Sequence, residues 1–242
     1  MTGPSLTASI HAVLLKELRV LFLSPLATVF LAGCLMLGGL FFTLGVSLTG
    51  EASLRNMMPN LGAMLLFTLP LLTMRAYSEE ERSGTLELLM TVPVGPLAIL
   101  LGKWLAAMVL CSVFLAFATS WGWLLAVWGD PDLGVLATSY LGLGLCCGAF
   151  SAVGLFASSL TRDQMVAGVL AVCFLLPSWL AGAARDLTPA AWQPVLDRLS
   201  FTEHLRGFAR GVVDTADVLW FVAFTCVFLL FTWQSVESRR WR

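Results

Sequence analysis

Residues Tyr77–Pro93 read YSEEERSGTLELLMTVP, three consecutive glutamates followed by an apolar stretch, and the segment lies between two long apolar runs. The cytoplasmic leaflet of a membrane is itself negative and attracts basic residues, so acids beside a membrane face ask for a basic partner. Ser78 followed by Glu81 has the form of a capping box and predicts a short helix starting there, its glutamates in a first turn that the macrodipole favours. Gly84 is placed to break that helix, Thr85 to cap a second one over Leu86 to Met90, and Pro93 to stop it. The second segment, TLELLMTV, is apolar nearly all round, and such a helix in a polar loop needs a surface to bury against. Two readings stand. Either the leucines lie on the membrane beneath a solvated acidic run, or the short helix enters a groove on a separate cytoplasmic protein whose basic rim meets Glu79, Glu80 and Glu81.

Working outward, the 242 residues are 58% hydrophobic and 12% charged, far from the roughly 25% charged of soluble domains. Apolar runs of about 20 residues, each long enough to cross a hydrocarbon core of about 30 Å, recur along the chain. The expectation is an all-α membrane protein with one domain over residues 1–242 and six transmembrane helices: Ser24 to Ser47, Pro59 to Thr73, Leu97 to Val127, Leu133 to Leu160, Met165 to Ala183 and Val218 to Trp233. The first run is too long for a secretory signal and ends in no convincing cleavage site, so it reads as a retained span. A net charge of −1 leaves no basic footprint for nucleic acid. Cys34, Cys111, Cys146, Cys147, Cys173 and Cys226 all fall in apolar stretches without metal or redox spacing and read as small buried hydrophobes.

Six spans put both ends of the chain on one side. That side carries nine Lys and Arg (Lys16, Arg19, Arg75, Arg82, Lys103, Arg162, Arg239, Arg240, Arg242) against five on the other (Arg55, Arg185, Arg198, Arg206, Arg210), which places the termini in the cytoplasm. Residues 1–23 repeat apolar side chains at helical spacing (Ile10, Val13, Leu14, Leu18, Leu21) and predict a helix lying in the membrane interface, with Ser24-Pro25 as the break; the alternative is a plain extension of the first span. The external loop 184–217 mixes Trp192, Leu199, Phe201, Leu205 and Phe208 among charges and predicts one or two amphipathic helices on the bundle rim.

No Asp, Glu, Lys, Arg or His falls near the centre of a span, which argues against proton or sodium coupling and against an enzyme in the bilayer. Pro70 and Pro177 interrupt spans two and five, as hinges or as the kinks that membrane helices tolerate. Gly144 and Gly148 have the spacing of close helix approach, within the bundle or between copies. Between Gly95 and Gly102 the spacing is wrong for a phosphate-binding loop, and Trp104 stands after Lys103 where a hydroxyl is required. That segment reads as a membrane entry, with Lys103 snorkelling toward water.

Three separated stretches carry a family resemblance: SEEERSGTLELLMTVPV with LAILLGKWLA, the N-terminal LLKELRVLFLSPLATVFLA, and LSFTEHLRGFARGVVDTADVLWFVAF. Together they resemble type-2 (ABC-2) ABC transporter permeases, and among these the gliding-motility and nitrous-oxide-reductase-maturation group. The resemblance implies a half-transporter in a bacterial inner membrane, paired with a second permease subunit as homodimer or heterodimer, each on a cytoplasmic ABC ATPase that binds the ATP and magnesium. This chain then has no catalytic, cofactor or metal residues. Loop 75–96 is the implied coupling element, with Glu79, Glu80, Glu81, Arg82, Thr85, Leu86, Glu87 and Leu88 on or beside the ATPase. The alternative is a membrane anchor that transmits ATPase motion to an external partner without moving a substrate.

Overall fold

A computed structural model describes residues 5–49, 57–85, 95–128 and 132–239. Ten α-helices and one 3-10 turn account for nearly all of these residues: α1 Leu6–Leu23, α2 Pro25–Thr49, α3 Met58–Thr73, α4 Arg75–Arg82, α5 Pro96–Trp128, α6 Leu133–Leu160, α7 Gln164–Ala184, a 3-10 turn at Arg185–Leu187, α8 Gln193–Leu199, α9 Phe201–Ala209 and α10 Thr215–Arg239. Six helical stretches are long and apolar enough to cross a membrane, namely α2, α3 continued by α4, α5, α6, α7 and α10. They match the six expected spans, with the ends extended by a turn or less except at the second and sixth.

Local sequence explains the boundaries. Ser5 caps α1, Asp132 caps α6 through the Gly134 amide at 2.8 Å, and Asp163 caps α7 through the Met165 amide at 2.8 Å. Ser24 is extended, with ψ 139°, so α1 and α2 are separate helices and the Ser24-Pro25 break is real. Beyond α4, Gly84 takes φ +72°, a left-handed position that closes a helix at little cost only for glycine.

The central post is α6, most of whose length is buried inside the bundle. Gly144 and Gly148 face α5 and α10, where added Cβ atoms would sit 3.7 Å from Leu115 and 3.6 Å from Trp104. The Trp104 indole N–H donates to the Gly148 carbonyl at 3.2 Å. This glycine spacing therefore serves packing within the chain.

Two expectations are corrected here. Ser78 does not start a helix: it lies inside α4, its hydroxyl bonded back to the Met74 carbonyl. Two cysteines, Cys173 and Cys226, are exposed on the bundle surface, while the other four are buried and all six are free thiols. Residues 184–217 form the short helices α8 and α9, as expected, and α9 also reaches into the core. In α9, Phe201 is fully buried, with ring centroids 4.9 Å from Phe150 and Trp220 and 5.0 Å from Phe224. Its start follows the capping form Ser200-Phe-Thr-Glu203, in which the Ser200 hydroxyl accepts from the Glu203 amide at 3.3 Å.

Candidate functional site

The end of the bundle that carries α1 and α4 concentrates the charge. Glu80 lies on α4, Lys16 and Glu17 on α1, and Lys103 on the second turn of α5. Lys103 does not snorkel. Its side chain is 2% exposed, and its ammonium sits 2.9 Å from Glu80 Oε1 and 3.0 Å from Glu17 Oε1, donates to the Ala76 carbonyl at 2.7 Å, and stands 5.2 Å from the Tyr77 ring centroid. Lys16 closes the cluster from the outside, 2.8 Å from Glu80 Oε1 and 3.3 Å from Glu17 Oε1. Two cations and two carboxylates balance. Burial opposes the charge on Lys16, but the Glu80 hydrogen bond and charge and the neighbouring Glu17 outweigh it and raise its pKa above the ordinary 10.5.

Close backbone approach makes this possible. A Cβ on Gly102 would meet Val13 Cγ1 at 2.6 Å and the Leu14 amide nitrogen at 3.3 Å, so only glycine lets α1 lie this near α5. The neighbouring Lys103 is thereby brought within reach of Glu17.

A second device holds α4. The second span divides into α3 and α4 at Met74, four residues after Pro70, and the Ser158 hydroxyl of α6 reaches that point. Its oxygen accepts from the amides of Tyr77 and Ser78 at 3.0 and 3.1 Å and donates to the Met74 carbonyl at 2.8 Å. Glu81 is bound to Arg162, between α6 and α7, at 2.9 Å.

The basic partners of Glu80 and Glu81 thus lie within this chain. Glu79, Arg82 and Thr85 are exposed where α4 gives way to the loop. Leu86, Glu87 and Leu88, with the expected helix to Met90, lie outside the described residues. Pro70 is buried in α3, and Pro177 lies inside the continuous helix α7 beside Ser178, whose hydroxyl reaches the Leu199 carbonyl. A cavity of about 370 Å³ opens beside the charge cluster, walled by Arg75, Glu79 and Glu80 on one side and Leu21, Leu72 and Leu155 on the other.

The sequence profile described as "ABC-2 family transporter protein" matches residues 42–191, more than half of the chain. The chain belongs to the ABC-2 transporter family. No curated protein matches it. The matched range takes in the second span, Glu80, Lys103 and Ser158, while Lys16 and Glu17 lie before it. As an ABC-2 permease the chain is a multi-pass membrane protein that works with an ABC ATPase; such subunits lack ATPase activity and need no cofactor of their own.

Sequence reading missed Lys103 as a buried partner, Glu17 as its counter-ion and Ser158 as the brace. Lys103 carried one usable signal, a lysine seven residues into an apolar helix. The other two carried none, because their partners are remote in sequence.

Proposed function

We infer that this ABC-2 permease subunit is half of a transporter in a bacterial inner membrane, related to the gliding-motility and nitrous-oxide-reductase-maturation group. Two six-span subunits face each other, each on an ATPase, with both termini in the cytoplasm, α1 at the interface and 184–217 outside. Loop 75–96 is the coupling element, its ATPase contacts drawn from Glu79, Arg82, Thr85, Leu86, Glu87 and Leu88, while Glu80 and Glu81 brace its base. The observation that supports this most is α4 itself: a charged helix held rigidly on the second span, broken at Gly84 and leading into an apolar segment, on the end where Lys16, Arg19, Arg75, Arg82, Lys103 and Arg162 gather. Charge reversal at Glu79 with Arg82→Glu is expected to lower recovery of the ATPase with the tagged permease at unchanged membrane insertion; unchanged recovery removes these residues from the contact.

A second reading, an anchor that passes ATPase motion to an external protein, is favoured by one feature. At the opposite end Leu187, Trp192, Val195 and Leu199 are exposed on or beside α8, a surface of the kind that meets a partner or lipid headgroups. Labelling the faces of α2, α3 and α7 separates the two: blockage there stops transport and leaves an anchoring role untouched.

A further inference from the structure

We propose that Lys103 is a positioning residue that clamps the two legs of loop 75–96 to each other and to α1, so that motion of the loop reaches α1 and the second and third spans as one body. This rests on the coupling reading of the loop. Three observations carry it. First, the contacts are at the loop's base: Ala76 and Glu80 lie on the leg that enters it, and Lys103 lies seven residues beyond Pro96 on the leg that leaves it. Second, Glu17 adds α1 through the same ammonium, and the Gly102 approach fixes α1 at that height. Third, the clamp has little slack. Among the described residues Glu80 Oε2 is buried without a hydrogen bond and the ion pairs of Glu80 run through Oε1, with Lys103 as its buried counter-ion. The other cation at Glu80, Lys16, is 47% exposed, and an exposed pair holds two elements together only weakly.

A clamp and a mere charge-balancing residue predict different behaviour. Lys103→Met alone leaves two carboxylates sharing Lys16, and this imbalance alone is able to damage folding. Glu17→Gln/Lys103→Met restores the balance without restoring the tie. Lys103→Arg keeps both.

The test uses the permease assembled with its ATPase, spin-labelled at His11→Cys on α1 and Arg75→Cys at the start of α4, in a background with Cys173 and Cys226 replaced by alanine. Distances are measured without nucleotide and with ATP trapped. For the parent and Lys103→Arg, one narrow α1–α4 distribution that does not change with nucleotide is expected. For Glu17→Gln/Lys103→Met, a distribution roughly twice as broad that shifts on trapping is expected, with complex yield and ATP turnover within about twofold of the parent. A double variant as narrow and as nucleotide-independent as the parent overturns the clamp while leaving the coupling loop in place. Failure of the parent chain to capture an ATPase overturns the coupling reading and the clamp with it.

Discussion

Lys103 and Ser158 solve the same problem with different chemistry: each supplies a partner to groups of α4 that burial would otherwise leave unmatched. A buried donor or acceptor stripped of its partner costs about 1–3 kcal/mol. Ser158→Ala removes the acceptor for two amides, Tyr77 and Ser78, and is expected to lower the stability of the detergent-solubilised protein by about 1–3 kcal/mol. Thermal unfolding measures it, with Ser112→Ala as control, since that exposed hydroxyl bonds the Met108 carbonyl of its own helix; equal effects of the two would refute the bracing role. Lys16 gives a pH prediction. Its pKa is raised, so its stabilising charge is complete below the unfolded value of 10.5 and fades as pH climbs through the folded value. Lys16→Met is therefore expected to lower the thermal unfolding temperature by the same small margin through neutral and mildly alkaline pH, with the margin closing only above 10.5. A margin that closes near neutrality would mean that another group carries this pH dependence.

Helix by helix, the long spans were readable because twenty apolar residues between polar breaks admit few alternatives. The break at Ser24-Pro25 and the stop at Gly84 were readable too, because each is set by the residue's own backbone preferences. Where α4 begins was not. Ser78 and Glu81 satisfy a local capping pattern, yet Ser158, eighty residues on, decides that the helix runs through Ser78 from Arg75. The same holds for the acids. Glu79, Glu80 and Glu81 look alike in sequence, and only the packing of α1, α5 and the α6–α7 turn shows that two of them are already engaged. The seat of α1 is an element-level property as well. Gly102→Ala drives a methyl into Val13 and is expected to lift α1 off α5, where overpacking costs about 1–3 kcal/mol. Local opening of that size raises hydrogen exchange in α1 about 5- to 150-fold at unchanged exchange in α6. If α1 amides exchange at the parent rate, α1 is held by something other than this contact.

Across the whole molecule the six spans share their burial unevenly: 78% of the apolar window of α6 is inside the bundle, but only 22% for α2, 28% for α7 and 17% for α10. Exposure alone does not separate a lipid-facing helix from one that meets another subunit, since lipid tails are as apolar as leucine and membrane helices associate through close packing instead. The shape of the exposed face does discriminate. On α2, Val29, Gly33, Met36 and Leu40 form one stripe at intervals of four, three and four residues; the three large side chains are exposed, and none of the described residues lies within 4 Å of where a Cβ on Gly33 would be. A small residue at the centre of an open stripe lets a second helix come close. The exposed face of α10 has its small positions filled by Ala223 and Cys226, each of which carries a Cβ, among Leu219, Val222, Val227, Leu230 and Phe231, so it admits a second helix less closely than the glycine of α2 does. The expected arrangement has α2 at the contact between permease subunits and α10 in the bilayer. With the exposed Cys173 and Cys226 removed, Met36→Cys should cross-link a second permease subunit in membranes under mild oxidation, while Leu230→Cys should not. The reverse pattern would move the subunit contact to α10 and leave α2 facing lipid.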